Sequence, residues 1–166
     1  MATITLKGTE FHTNGELPLV GSQAPDFVLT TKALADVSLA DFAGKKKLIS
    51  IVPSLDTPVC QLSTKKFNEH AKAHPNAVIL IVAADLPFAM ARFCGAEGLD
   101  NVQTLSMMRG RKFAKDYGVF IEDGPFKGIT GRALLVLDEN NTVISSELVR
   151  EIADEPNYDA ALAKLN

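Results

Sequence analysis

Two runs of almost uninterrupted apolar residues constrain the fold of this chain more than any other feature. They occupy residues 48–52 and 78–83. A strand with one solvated face alternates apolar and polar residues, whereas these runs barely alternate, so each is predicted to be a buried strand. Helices and a C-terminal hairpin are predicted around them. Together they indicate a three-layer α/β domain with a mixed central sheet.

The helices and hairpins follow from local signals along the chain. A helix is predicted over residues 58–73 and ends before Pro75, and a second over residues 87–94 ends at Gly95. The other predicted elements are an N-terminal hairpin near residues 3–6 and 11–12, a strand at 27–30, helices at 111–117 and 157–165, and a hairpin of strands 133–137 and 142–148. Because the 166 residues contain no linker, repeat or low-complexity segment, we expect one domain over residues 1–166.

Composition excludes several classes of function. The net charge of −3 gives no broad attraction to nucleic acid or to an anionic membrane, and no apolar run is long enough to span a bilayer. The N-terminus lacks the basic and apolar regions of a secretory signal, so we expect a cytoplasmic protein. Two cysteines are too few for a disulfide-stapled scaffold. In a reducing compartment such cysteines are more often catalytic, redox-sensing or metal-binding.

Cys60 is a candidate nucleophile because of its place in the first predicted helix. Thr57 is a favoured N-cap residue and Pro58 suits the first helical position, which puts Cys60 in the first turn. Free backbone N–H groups and the positive end of the helix dipole stabilise a thiolate there. The alternative is an inert core cysteine, which is common in proteins.

The helix alone cannot activate this thiol. A free cysteine with an ordinary pKa of about 8.5 is only ~3% thiolate at pH 7. Lowering that pKa to about 6, where the cysteine is ~90% thiolate, takes roughly 3.4 kcal/mol of stabilisation. A helix N-terminus seldom supplies as much as about 2 kcal/mol. A cation, a hydroxyl group or further N–H donors must therefore contribute, and Thr57 is the nearest hydroxyl in the sequence.

Cys94 lies in a different electrostatic position. It is predicted at the end of the second helix, where the dipole is negative and disfavours a thiolate, although Arg92 offsets part of this effect. One activated and one unactivated thiol suit an attacking cysteine with a resolving partner, since a sulfenic acid condenses with a second thiol. The spacing excludes a C-x-x-C site and a zinc site. It does not show that the two cysteines meet, so two unrelated buried cysteines remain an alternative.

Other motifs carry weaker signals. His70 and His74 have a helical spacing that could place two metal ligands on one face, but no third ligand is evident and a solvated helix end is the better interpretation. Phe88, Met90 and Phe93 could line a substrate entrance, form a dimer contact or simply pack in the core.

Three separated motifs give the chain a resemblance to the peroxiredoxins. Pro53, Thr57 and Cys60 match the active-site pattern P-x-x-x-T-x-x-C of that family. Residues 85–89 and 92–98 resemble the resolving-cysteine segment of its thiol peroxidase subfamily, and residues 132–138 resemble its arginine-bearing strand. Residues 117–119 and 155–158 also match, so the resemblance runs from about residue 6 to residue 165.

The resemblance implies a fold, a reaction and a set of roles. The fold would be thioredoxin-like with an N-terminal β-hairpin extension. Cys60 would be the peroxidatic cysteine and Cys94 the resolving cysteine, joined in an intramolecular disulfide. Thr57 would hydrogen-bond the thiolate and the peroxide, Pro53 would shield the site from water, and Arg132 would supply the missing cation.

The resemblance also implies substrates and partners. The enzyme would be an antioxidant peroxidase that reduces hydrogen peroxide and alkyl hydroperoxides. Thioredoxin would recycle it with electrons that come ultimately from NADPH, and it would be a homodimer with no bound metal or organic cofactor. Two other functions remain open at this point. One is a redox sensor or relay that uses the same thiols, and the other is a thiol-inactive interaction module.

Overall fold

A seven-stranded mixed sheet forms the centre of the fold in a computed structural model, which describes residues 1–166. Its strand order is β4-β3-β7-β6-β5-β8-β9, and β1 and β2 form a separate two-stranded sheet. β5, β6 and β7 are parallel, and the remaining pairs are antiparallel. The strands are β1 (Thr3–Leu6), β2 (Thr9–His12), β3 (Leu29–Thr31), β4 (Asp36–Val37), β5 (Lys46–Ile51), β6 (Ala77–Ala83), β7 (Gln103–Ser106), β8 (Arg132–Leu137) and β9 (Val143–Val149).

Helices cover both faces of the sheet, as the apolar runs predict. The helices are α1 (Pro58–Ala73), α2 (Pro87–Glu97), α3 (Lys112–Asp116) and α4 (Tyr158–Ala163), with a 3₁₀-helix at Leu39–Phe42. Successive strand residues point to opposite faces, so Leu48 joins the cluster under α1, α2 and α4, whereas Ile49 joins the cluster under α3. None of the helices combines the length and apolar character that crossing a bilayer requires.

The N-terminal hairpin is confirmed and packs against the end of the chain. Its turn residues Lys7 and Gly8 have φ values of 50° and 82°, the left-handed pair that a tight two-residue hairpin turn needs. The apolar side chains of Ile4 and Phe11 form a small core with Ile121 and Ile152. The hairpin is therefore held to the segment that follows β9.

Several predicted boundaries differ from the structure. The prediction that α2 ends at Gly95 is wrong, because the backbone turns into the left-handed region only at Gly98, with φ 65°. β3 begins two residues later than predicted, since the Asp26 carboxylate accepts the hydrogen bond from Phe27 N–H. α4 is shorter than predicted, and Asn157 serves as its N-cap. The single domain over residues 1–166 stays a prediction.

β4 and β7 were not predicted from the sequence. β7 has the sequence Gln-Thr-Leu-Ser, which has only one large apolar residue and no clear alternation. It becomes a strand because it pairs in parallel register with β6, where Val82 lies opposite Leu105. Tertiary pairing overrides a weak intrinsic preference here.

Candidate active site

Cys60 lies in the first turn of α1, as predicted. Thr57 is the N-cap residue and Pro58 is the first helical residue. The side chain of Cys60 is fully buried, with 0% exposure. Its backbone carbonyl accepts hydrogen bonds from the hydroxyl groups of Ser63 at 3.1 Å and Thr64 at 2.8 Å. Sequence analysis did not identify these two hydroxyl groups beside Cys60.

Sheet pairing brings Arg132 to this cysteine. β8 runs antiparallel to β5, and Ala133 pairs with Ile51 at the end of β5. The preceding residue, Arg132, therefore lies where the chain leaves β5 for α1. Its Nη1 donates a hydrogen bond to Cys60 Sγ at 3.1 Å. Its Nε and Nη2 both donate to the backbone carbonyl of Ile152, at 3.0 and 2.9 Å.

The charge on Arg132 has no carboxylate partner. The guanidinium group is buried, with 3% exposure, and none of the salt bridges in the structure includes it. A buried charge is costly unless an opposite charge compensates it. A thiolate on Cys60 would be that opposite charge, so the arrangement favours the reactive form of the cysteine.

Thr57 and Pro53 lie in the loop that leads into α1. The Thr57 hydroxyl donates to the Ser54 carbonyl at 2.9 Å and makes no capping hydrogen bond to the helix. This bond uses the hydroxyl proton and leaves the oxygen lone pairs of Thr57 as acceptors. Pro53, in the same loop, is buried.

Asp85, which follows the neighbouring strand β6, fixes the loop that leads into α1. Its carboxylate accepts hydrogen bonds from the Ser54 hydroxyl at 2.8 Å and from the Leu55 backbone N–H at 2.7 Å. Sequence analysis placed Asp85 in the segment that resembles the resolving-cysteine region and gave it no role in the Cys60 loop. A useful signal was nevertheless present, because Asp85 follows a buried strand that is parallel to β5, and the carboxyl ends of parallel strands meet at one edge of the sheet.

Cys94 does not face the Cys60 loop. A cavity of about 520 Å³ between that loop and α2 is lined by Ala89, Arg92 and Phe93. Cys94 instead lines a separate cavity of about 510 Å³ with Lys32. Helical residues advance by about 100° each, which places Cys94 on the side of α2 roughly opposite to that of Ala89, Arg92 and Phe93. Both cysteines are free thiols.

The surroundings of Cys94 disfavour its thiolate. Burial raises the pKa of the Cys94 thiol, Lys32 opposes this change and Asp100 adds to it. Cys94 lies in the last turn of α2, where the dipole acts in the same direction as burial. The predicted asymmetry between the two thiols therefore has a second physical cause, the partial burial of Cys94.

The raised pKa of Cys94 can be tested by alkylation in the Cys60→Ser variant, where Cys94 is the only thiol. A raised pKa means that the thiolate forms only at higher pH. We expect the iodoacetamide reaction of the folded variant to have its pH midpoint above that of the same chain in urea, as followed by mass spectrometry. A midpoint below that of the unfolded chain would contradict this account.

The three candidate aromatic and methionine positions on α2 separate in the structure. Met90 is fully buried in the core, whereas Phe88 is 63% exposed. Phe93 is partly buried and lines the cavity beside the Cys60 loop. Core packing therefore explains Met90 fully and Phe93 in part, but not Phe88. In addition, no group of three or more His, Cys, Asp or Glu side chains is placed to hold a metal ion.

Comparison with known proteins decides the family. The sequence model of the Redoxin family matches residues 19–162. The chain is 52% identical over 165 residues to a thiol peroxidase of Mycobacterium bovis, with 99% of each chain covered. The chain belongs to the thiol peroxidases of the redoxin family.

Solved structures of similar proteins agree with this assignment. A peroxiredoxin-like protein from Aquifex aeolicus has a TM-score of 0.93 and 39% identity, over 99% of this chain and 96% of that one. A thiol peroxidase from Chromobacterium violaceum has a TM-score of 0.90 and 29% identity, over 98% and 94% of the chains. The predicted thioredoxin-like peroxiredoxin fold and the predicted thiol-dependent peroxidase activity are confirmed.

Proposed function

We propose that Cys60 is the peroxidatic cysteine of this thiol peroxidase and that Arg132 activates it. The observation that carries the proposal is the hydrogen bond of 3.1 Å from Nη1 of Arg132 to Cys60 Sγ. A buried guanidinium group without a carboxylate partner, aimed at a sulfur in the first turn of a helix, supplies the cation that the helix alone lacks. Arg132 and the first-turn N–H groups are also placed to stabilise charge that develops on the peroxide oxygens.

The first chemical step oxidises Cys60. Its thiolate attacks the terminal oxygen of a hydroperoxide ROOH, an S–O bond forms and the O–O bond breaks. The leaving alkoxide takes a proton and departs as ROH, so the peroxide gains two electrons and the sulfur becomes a sulfenic acid. Thr57 would contribute through its oxygen lone pairs, which could accept a hydrogen bond from the peroxide. Pro53 would help to exclude water.

The second step joins the two cysteines. The thiol of Cys94 condenses with the Cys60 sulfenic acid, which releases water and leaves an intramolecular disulfide. A disulfide requires Cα atoms roughly 4.4–6.8 Å apart. Because Cys94 lines a cavity on the other side of α2, the end of α2 and the first turn of α1 would unwind locally before the bond forms. Helix ends are the parts of such elements that open most easily.

The partners of the reaction belong to this proposal. Hydrogen peroxide and alkyl hydroperoxides would be the substrates. Thioredoxin would reduce the disulfide by thiol–disulfide exchange, with electrons that come ultimately from NADPH. We further propose a homodimer that acts in the cytoplasm without a bound metal or organic cofactor. Support for a reducing compartment comes from the use of only two cysteines in the chain.

The resolving role of Cys94 is tested by the Cys94→Ser variant. We expect it to react once with peroxide and then to stop, because no second thiol can displace the sulfenic acid oxygen. The measurement combines dimedone trapping of Cys60, read by mass spectrometry, with NADPH consumption in the presence of thioredoxin and thioredoxin reductase. Native protein is the control for turnover. Turnover of Cys94→Ser at the native rate would exclude Cys94 from the cycle.

A further inference from the structure

The direction of Arg132 is set by one backbone carbonyl group. Two of its three hydrogen-bonding nitrogens donate to the oxygen of Ile152, and the third donates to Cys60. A guanidinium group is a rigid planar fork, so the position of the Ile152 oxygen determines where Nη1 points. Whatever holds Ile152 therefore also aims Arg132 at the sulfur.

The N-terminal hairpin holds the backbone of Ile152. Thr5 N–H donates to the Arg150 carbonyl at 2.7 Å, and Ile152 N–H donates to the Thr5 carbonyl at 2.9 Å. The side chain of Ile152 is buried against Ile4 and Phe11 of the hairpin. Ile152 lies after the end of β9, so this pairing with β1 replaces the sheet contacts that it lacks.

Glu151 locks the hairpin to this segment. Its Oε2 accepts hydrogen bonds from the Thr5 hydroxyl at 2.8 Å and from Gly8 N–H at 3.2 Å. Its Oε1 accepts from Lys7 N–H at 3.0 Å and from Ala153 N–H at 3.3 Å. The two consecutive turn N–H groups form a small anion-binding concavity.

The carboxylate of Glu151 is charged throughout the physiological range. Its hydrogen bond from Thr5, followed by that from Lys7 N–H, lowers its pKa to about 2. A left-handed conformation at a non-glycine residue is strained, and Lys7 has one with φ 50°. Glu151 stabilises this turn because both turn N–H groups point at it.

We propose that Glu151 is a positioning residue for the peroxide reaction: by locking the hairpin turn to the segment after β9, it fixes the Ile152 carbonyl, and that carbonyl directs Arg132 onto Cys60. The inference rests on the proposed roles of Cys60 and Arg132. Glu151 itself touches neither the sulfur nor the guanidinium group. It would act only through the orientation of Arg132.

The Glu151→Gln variant is a sharp test. Both carboxylate oxygens accept two hydrogen bonds, so the amide NH₂ of glutamine faces two donors in either orientation. We expect the first-turnover oxidation of Cys60 at pH 7 to slow by roughly 10-fold, since a small misplacement of a catalytic group has effects of this order. The rate would be measured by quenched flow with alkylation and mass spectrometry, and native circular dichroism would show that the variant is folded.

Two matched comparisons separate positioning from a general loosening of the hairpin. Asp123 accepts hydrogen bonds from His12 N–H and the His12 ring on the other hairpin strand, but has none with Ile152 or Arg132. Asp123→Asn is therefore expected to change the rate by less than about 2-fold, as an independent site would. In an Arg132→Lys background, Glu151→Gln should also have less than about a 2-fold effect, because the group that it positions is gone.

The Arg132→Lys background gives a readout that loss of stability alone would not move. A merely structural effect of Glu151→Gln would slow the first turnover equally with Arg132 or Lys at position 132, whereas a positioning effect needs Arg132. Equal slowing by Asp123→Asn, or a full effect in the Arg132→Lys background, would overturn the proposal. Native protein that reacts with peroxide without oxidising Cys60 would instead contradict the proposed function, which is a distinguishable result.

Discussion

Replacing Cys60 with serine is expected to abolish peroxide reduction. Serine keeps the size and hydrogen-bonding position of the side chain, but its hydroxyl is not ionised at neutral pH and is a poor nucleophile without a base. No histidine or carboxylate is hydrogen-bonded to this side chain, whose sulfur accepts from Arg132. We expect the first-turnover rate to fall by roughly 10⁴-fold or more, to the uncatalysed background.

The measurement for Cys60→Ser is peroxide loss under single-turnover conditions. The matched control is Cys94→Ser, which makes the same replacement of sulfur by oxygen at the other cysteine. This variant should still consume one equivalent of peroxide. Circular dichroism and thermal unfolding would show that both variants fold. If Cys60→Ser consumed peroxide at the native rate, the peroxidatic group would be another residue.

Replacing Arg132 with glutamine is expected to cause the second largest loss in the rate of the first turnover. Glutamine removes the positive charge beside Cys60 and shortens the side chain, so both the thiolate and the charge on the leaving oxygen lose a donor. Removal of one such preorganised donor typically slows a reaction by about 10²–10³-fold, and we expect a loss of that size. Lysine should restore only part of it, because one ammonium group cannot reproduce the fork that spans Ile152 and Cys60.

The Arg132 variants would be compared by the second-order rate constant of the first turnover. Arg150→Gln is a suitable control, because it makes the same replacement at an exposed position. Arg150 follows β9, its side chain is 72% exposed, and its Nη2 lies 3.7 Å from Oε1 of Glu10. Arg132→Gln removes the buried guanidinium charge and, with it, the free-energy cost of keeping that charge out of water. A lower rate in this variant is therefore not by itself a sign of unfolding. If Arg132→Gln reacted at the native rate, the N-terminus of α1 and the groups beside it would activate Cys60 without help from Arg132.

Local patterns were sufficient for the elements that carry the first cysteine. The helix over residues 58–73 has the predicted bounds, because Thr57, Pro58 and the later Pro75 act on the backbone directly beside them. The resemblance carried by residues 53–60 and 132–138 also correctly predicted the family. By contrast, the end of α2 was wrong by three residues, since two glycines, Gly95 and Gly98, could each have ended it.

The sequence by itself determined the buried strands, the helix whose first turn carries Cys60, the different dipole environments of the two thiols and the family. Only the tertiary structure decided which nitrogen of Arg132 contacts Cys60 and at what distance, that Cys94 faces a cavity on the other side of α2, and that Glu151 closes on the hairpin turn. The reason is physical. Apolar periodicity and helix capping act over a few neighbouring residues, whereas these contacts join segments that meet only when the sheet has paired and the helices have packed on it.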